Sequence, residues 1–195
     1  MRKNSLGIVA FAAPLLAAFA WAAGDEAKED AHARANLPKA KITLAEAVEI
    51  AMKKVPDGKA VEAELEMKAD HLQFVVEIVT GKRHHEVEID AVSGKVTKTE
   101  IEDQEKLEAG ETAEEHEENE ALETEAAATA KFTLLKAIHA ALKDVKGSKA
   151  FEANFEREEG KLVISVELLA ADEISEAEFD AMTGKLIEIE KQARR

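Results

Sequence analysis

The apolar residues of this chain change from a helical to a strand period within each of two stretches. In the first stretch they recur at the i, i+3, i+4 spacing of an amphipathic helix from Leu44 to Val55. From Val61 they alternate with polar residues, and two further alternating runs follow. Strict alternation is typical of strands with one buried face. The pattern predicts a helix followed by an antiparallel meander, with a short fourth strand after the turn at Gly94.

The predicted helix has clear start and stop signals. Thr43 and Glu46 form the T-x-x-E pattern of a capping box, in which hydroxyl and carboxylate satisfy backbone amides at the helix start. The sequence Pro56-Asp57-Gly58 stops the helix, which is expected to run to about Lys54.

The same pattern occurs twice. Residues 42–100 reappear without a gap as residues 132–190, and about a third of the aligned pairs are identical. Lys136 replaces Glu46, so the second helix should be capped less well. The predicted fold is α+β, with two repeated units at 41–101 and 131–191. Each unit is expected to have one helix packed on a three- to four-stranded antiparallel sheet.

The segments outside the repeats suggest export. Arg2 and Lys3 precede an apolar run that ends in small residues, which is typical of a secretory signal peptide over 1–23, with cleavage near Ala22–Ala23. Residues 24–40 are short and mixed in charge, and they are expected to be a flexible leader. The mature chain is therefore predicted to be periplasmic or secreted, with no membrane attachment after cleavage.

The acidic charge is concentrated between the repeats. The net charge is −15, and residues 101–130 hold 12 acidic groups against one Lys. Such a surface argues against nucleic acid or anionic lipid as a partner. Residues 102–130 are expected to be an acidic linker, partly helical but mostly extended, so that the units need not touch.

No catalytic constellation is apparent, because the chain has no cysteine, no G-x-S-x-G and no H-E-x-x-H motif. No cofactor and no specific metal site are predicted. The residues that come nearest to a metal site are His84, Glu86 and Glu77, which should share one face of neighbouring strands. A row of carboxylates there is also the ordinary solvated side of a sheet, and the second repeat has Ile174 in place of His84.

Several apolar residues fall at positions that alternate toward the solvent side of the predicted sheets. Exposed apolar side chains of this kind can form a contact surface between the repeats or with a partner. The candidate surface comprises Val75, Val79, Val163, Leu169 and Ile174.

The closing motif of each repeat carries a family resemblance. The first reads Glu86-Val87-Glu88-Ile89-Asp90-Ala91-Val92-Ser93-Gly94-Lys95 and the second ends in Asp180-Ala181-Met182-Thr183-Gly184-Lys185. Together with the helix that opens at Ile42-Thr43-Leu44, this order of features resembles PepSY domains. The resemblance implies a secreted, non-enzymatic tandem-repeat protein that binds a protein partner and regulates an extracytoplasmic peptidase. The alternative is an envelope accessory protein that binds a small ligand or a metal cation.

Overall fold

The predicted α+β repeats are confirmed by a computed structural model that describes residues 31–101 and 113–191. Residues 31–36 are helical (α1) and lead into a 3-10 turn at Leu37–Lys39. The first repeat contains α2 (Leu44–Lys54), β1 (Lys59–Lys68), β2 (His71–Thr80), β3 (Arg83–Asp90) and β4 (Val96–Ile101). After α3 (Ala113–Thr129), the second repeat contains α4 (Leu134–Asp144), β5 (Lys149–Glu158), β6 (Lys161–Ala170), β7 (Glu173–Asp180) and β8 (Leu186–Lys191).

The two repeats share one sheet. Its strand order is β4-β3-β2-β1-β5-β6-β7-β8, so the chain forms two meanders joined at their first strands. The join, here called the seam, pairs Glu62–Glu64 of β1 with Glu152–Asn154 of β5 in antiparallel register. The expectation that the units need not touch is therefore wrong. The sequence could not reveal this, because the alternating pattern of β1 and β5 is the same whether the edge of a strand pairs with the other repeat or is exposed to water.

One face of the sheet, the helix face, packs against α2 and α4. The side chains of Val55, at the end of α2, and Ile78 both lie beside Gly58, so α2 lies on the side of the sheet that Ile78 faces. Helix α2 reaches across the seam to β5, and α4 reaches back to β1. Ala63 and Ala153 face each other in the seam and are fully buried. The two helices therefore cover both repeats with one continuous core.

The segments that precede each repeat are helical and partly buried. Ala33 and Leu37 are buried, so residues 31–40 are not the flexible leader that was expected. Arg34 Nε donates a hydrogen bond to the carbonyl of Asp172 in the β6–β7 turn, at 3.4 Å. The segment before repeat 1 thus contacts repeat 2. Helix α3, which precedes repeat 2, contacts β1 and β2 of repeat 1 as well as β5.

Helix α3 also corrects the interpretation of the linker. The linker at 102–130 is predicted to be partly helical but mostly extended, because its carboxylates repel each other at helical spacing. Residues 102–112 lie outside the described residues, and residues 113–129 are helical. The last turns nevertheless place Glu123 and Ala126 in buried positions and contact the sheet. Tertiary packing of this kind supplies most of a helix's stability in a protein and overrides the local charge repulsion.

The helix starts follow the sequence expectation. Thr43 accepts a hydrogen bond from the Glu46 amide at 3.2 Å, and the Glu46 carboxylate accepts one from the Thr43 amide at 2.7 Å. In the second repeat Thr133 accepts from the Lys136 amide at 3.4 Å, without the return bond. The weaker second cap is confirmed.

The proposed signal peptide at 1–23 lies outside the described residues. Within 31–101 and 113–191, no helix is long and apolar enough to cross a membrane.

The turns after β3 and β7 have the same backbone conformation but different neighbours at the helix starts, so substitutions in the two turns can be compared directly. Gly94 and Gly184 both have φ of +71°, where an alanine costs about 1–2 kcal/mol. A Cβ on Gly184 would also lie 2.5 Å from the Phe132 ring, which packs on Phe179 with ring centroids 5.9 Å apart. A Cβ on Gly94 would meet Ile42 at an ordinary 3.5 Å. Gly184→Ala should therefore lower the free energy of unfolding by about 1–3 kcal/mol more than Gly94→Ala, as measured by urea denaturation. Equal losses would show that Phe132 moves aside at no cost.

Candidate functional site

The face of the sheet opposite α2 and α4, here called the carboxylate face, carries the candidate chemistry. Register pairs Val79 with His84 and Glu77 with Glu86 across β2 and β3. Because residues paired across strands point to the same side, these four side chains share this face. At its β2–β3 end, α3 crosses the sheet and brings Glu123 and Thr124 against His84.

Glu77, His84 and Glu123 form a compact cluster from three elements, β2, β3 and α3. One potential ligand atom from each residue lies within 4.8 Å of the others. His84 Nδ1 is 2.8 Å from Glu123 Oε2, and His84 Nε2 is 3.2 Å from the Thr124 hydroxyl. The His84 residue is only 5% exposed. An imidazole and two carboxylates in a partly enclosed position can bind a proton or a divalent cation.

Glu86 does not join this cluster, although the sequence grouped it with His84 and Glu77. Its carboxylate accepts a hydrogen bond from Lys98 of β4 at 2.9 Å. Burial opposes the charge on Lys98, but hydrogen bonds to Glu100 and Glu86 raise its pKa. The carboxylate is thus occupied by an ion pair, and the third member of the cluster is instead Glu123. Strand alternation could not reveal this, because it depends on where α3 crosses the sheet.

Repeat 1 neutralises its buried carboxylates with two lysines. Glu88 is 2.6 Å from Lys68 and 3.5 Å from Lys98. Although burial opposes it, the hydrogen bond from Lys68 helps to lower the pKa of Glu88. This part of the carboxylate face is a closed ion-pair network.

Repeat 2 lacks both lysines. Counting ninety residues on, Glu158 replaces Lys68 and Glu188 replaces Lys98, while Glu178 takes the place of Glu88. Glu178 is 8% exposed. Burial, and then the neighbouring carboxylates of Glu158, Glu176 and Glu188, raise the pKa of Glu178 to about 7. The two repeats therefore have opposite electrostatics at the same structural position.

The apolar residues assigned to an exposed partner surface are buried. The expectation that Val75, Val79, Val163, Leu169 and Ile174 face solvent is wrong, because each is at most 8% exposed. Val79, Leu169 and Ile174 belong to the same core cluster as residues of α1 and α3. The alternating pattern correctly predicted which side of the sheet these residues face. It could not predict that the segments preceding the repeats pack on that side.

An apolar cavity of about 160 Å³ lies where α2, α3 and α4 meet above the seam. Its lining includes Val48, Met52, Ala126, Leu135 and Phe155. Ligand pockets typically exceed about 300 Å³ and have a few polar groups that orient the ligand. This cavity is better explained as imperfect packing between the two repeats.

Among residues 31–101 and 113–191, two of the six exposed large apolar side chains lie on the last strand, and one, Ile101, lies on β4 and is 53% exposed. Ile187 is 48% exposed and Ile189 is 37% exposed, and both lie on β8, at one edge of the sheet. The corresponding residues of β4, at the other edge, are Thr97 and Thr99. The two edges are thus chemically different.

Comparison with known families explains the repeated unit. The family described as "Peptidase propeptide and YPEB domain" matches residues 41–100 and 132–190, which is more than half of the chain. The chain belongs to the PepSY family. Both matched segments begin just before the capped helix and end in the last strand of a meander, so each PepSY domain is one repeat of the shared sheet.

Other comparisons add little to this assignment. No curated protein matches the chain. Among solved structures, the chain is similar to a crystal structure described as a "putative lipoprotein" from Clostridium difficile 630. The two are 20% identical with a TM-score of 0.42, over 78% of this chain and 95% of that one.

The raised pKa of Glu178 predicts a pH-dependent stability. An unfolded glutamate titrates near pH 4.3, so between about pH 4.3 and 7 the folded protein holds a proton that the unfolded chain releases. Stability from this group is therefore greatest at acidic pH and is lost as the pH rises toward 7. The original protein should therefore lose stability between pH 5 and pH 8 that the Glu178→Gln variant keeps. The difference in unfolding free energy, variant minus original, should be about 1–3 kcal/mol larger at pH 8 than at pH 5, as measured by urea denaturation.

Glu88→Gln is the matched control, because Glu88 occupies the equivalent position but has a lowered pKa. It should destabilise the protein at pH 8 by removing the negative charge that pairs with Lys68. Replacing both Glu158 and Glu188 by lysine should remove the pH effect at Glu178. If the Glu178→Gln variant and the original protein keep the same stability difference at both pH values, the carboxylates of repeat 2 do not interact as described.

Proposed function

We propose that this tandem PepSY protein is a non-enzymatic, extracytoplasmic module that binds a peptidase and restrains its activity. The observation that carries the proposal is the match of both repeats to a family described as a peptidase propeptide domain. The signal-peptide pattern of residues 1–23 supports an extracytoplasmic location. The peptidase itself is identified only by its class.

The open edge of β8 is the surface that best fits such a partner. β8 is the last strand of the sheet, so its outer side has no strand partner in the described part of the chain. An exposed sheet edge can pair with an extended segment of another chain, with backbone hydrogen bonds giving affinity and side chains giving specificity. Ile187 and Ile189 supply apolar contacts along this edge.

Natural sheets usually protect long edges with charged residues or proline. On β8, Glu188 and Glu190 alternate with the two isoleucines, and Lys191 pairs with Glu173 at the strand end. The edge is therefore acidic as well as apolar, which favours a partner segment with apolar and basic side chains.

A cation-binding accessory protein is the second candidate function. It is favoured by one feature, the Glu77–His84–Glu123 cluster. The β8 edge and this cluster lie on different repeats, so the two functions can be tested separately.

The test of the peptidase proposal exchanges residues between the two edges. Ile187→Thr with Ile189→Thr gives β8 the side chains of Thr97 and Thr99, which the first repeat already accommodates in the equivalent strand. Cross-linked pull-down from the extracytoplasmic extract of the source cells should recover a peptidase with the original protein, and adding the purified protein should lower that enzyme's activity. The double variant should lose at least about tenfold in inhibition, because the apolar contacts of the edge are gone.

Met67→Thr with Val92→Thr is the control, since these residues are 41% and 42% exposed but lie outside β8. It should inhibit like the original protein. Failure to recover any peptidase would refute the proposed function. Recovery with undiminished inhibition by the β8 variant would retain the function and refute this edge as the binding surface.

A further inference from the structure

The Glu77–His84–Glu123 cluster has the donor chemistry of a transition-metal site. Imidazole nitrogen and carboxylate oxygen are ordinary ligands of Zn²⁺, at about 2.0–2.2 Å from the ion. Donors in tetrahedral positions around such an ion are about 3.4 Å apart. The three donor atoms here are within 4.8 Å of one another, so small side-chain rotations are enough to place them around one ion. Three protein ligands leave a fourth position for water or another ligand.

The surroundings of His84 orient it for this role. In the tautomer with its proton on Nε2, the ring donates to the Thr124 hydroxyl, whose oxygen is 3.2 Å away. The Nδ1 lone pair then faces Glu123 Oε2 at 2.8 Å, and a proton or a cation is needed between these two atoms. Metal-ligating histidines commonly use their second ring nitrogen in a hydrogen bond of this kind, which fixes the ring.

The second repeat shows that the fold does not require these polar groups. Ninety residues on from His84 is Ile174, and ninety residues before Glu123 is Ala33. Both are at most 1% exposed, and both belong to the core cluster. Glu167, which corresponds to Glu77, is retained. The strand position of His84 is therefore apolar in repeat 2, and the helix before repeat 1 has an alanine ninety residues before Glu123, whereas β3 and α3 hold an imidazole and a carboxylate in nearly buried positions.

A polar pair at such a position is costly without strong compensation. Replacing a buried ion pair by apolar side chains is often neutral or stabilising. A contribution to folding stability therefore does not explain why His84 and Glu123 occupy these positions. A metal ion would supply that compensation and would connect α3 to β2 and β3. It would thereby connect the acidic segment between the repeats to the sheet of repeat 1.

We infer that Glu77, His84 and Glu123 bind a divalent transition-metal ion, with Thr124 positioning the His84 ring. This inference deepens the second candidate function, on which it rests, and does not depend on the restraint of a peptidase. The site is formed by β2 and β3 of repeat 1 together with α3 from the segment between the repeats. It excludes Glu86, which pairs with Lys98.

The experiment uses untagged full-length protein and Zn²⁺ as the probe, with isothermal titration and thermal unfolding as readouts. The original protein should bind one tight equivalent of Zn²⁺, and its melting temperature should rise with Zn²⁺ concentration because the ion binds the folded state. Co²⁺ in place of Zn²⁺ should give the visible absorption of a four- or five-coordinate ion.

The decisive variant combines His84→Ile with Glu123→Ala, which installs the side chains found ninety residues away in the chain, at Ile174 and Ala33. It should remain folded and lose the tight equivalent, the thermal shift and the Co²⁺ absorption. Thr124→Ala should weaken Zn²⁺ binding by about 10–100-fold through loss of ring orientation while leaving one site. Glu86→Gln is the matched control and should bind like the original protein.

Two results would overturn the inference. One is the absence of a tight equivalent in the original protein. The other is an unchanged stoichiometry and Co²⁺ spectrum in the folded double variant, which would assign the ion to other side chains, among them the exposed His71 and His139.

Discussion

The architecture depends on the pairing of β1 with β5. A unit of about 60 residues buries only about 60% of its unfolded surface and is marginal by itself. The seam is short, with three residue pairs in register, but it brings Ala63 and Ala153 together beneath two helices. Because α2 and α4 each reach the first strand of the other repeat, the core near the seam is shared between the repeats. The chain contains no cysteine, so this shared packing takes the place of disulfides in stabilising two small units.

The seam also determines which parts of the protein can meet a partner. Joining the repeats at β1 and β5 hides the first strand of each meander and leaves β4 and β8 as the outer strands. The same joining brings the segment before each repeat against the opposite repeat, as the Arg34 contact with the β6–β7 turn and the Glu123 contact with His84 illustrate. The cluster on β2 and β3 is therefore a product of the tandem arrangement. A single repeat has the His84 side chain but no Glu123.

The sequence predicted the contents of each repeat but not how the repeats combine. The capping box at Thr43, the alternating strands and the turn at Gly94 are local patterns, and each determines structure over a few residues. The sequence also placed Glu77 and His84 on one face, which is correct because side chains alternate along a strand. Seam formation, the burial of Val79 and Ile174, and the third member of the cluster depend on contacts between residues far apart in the chain. Glu123 in particular lies in a segment whose composition is typical of a solvated tether, and no local pattern separates it from its acidic neighbours.

The differences between the repeats carry more functional information than their similarities. Several positions that build the fold are retained in both repeats, including Ala63 and Ala153 in the seam. Among the positions that differ, Lys68 and Lys98 correspond to glutamates at 158 and 188, and the threonines of β4 correspond to isoleucines on β8. Glu188 belongs to both of the features that distinguish repeat 2, since it lies on β8 and helps to raise the pKa of Glu178. A basic group brought to this edge by a partner would therefore stabilise the charged form of Glu178 while its chain pairs with β8. In repeat 1 the corresponding carboxylates already have their lysines, so an incoming basic group would gain less there, and the asymmetry favours docking at the edge of repeat 2.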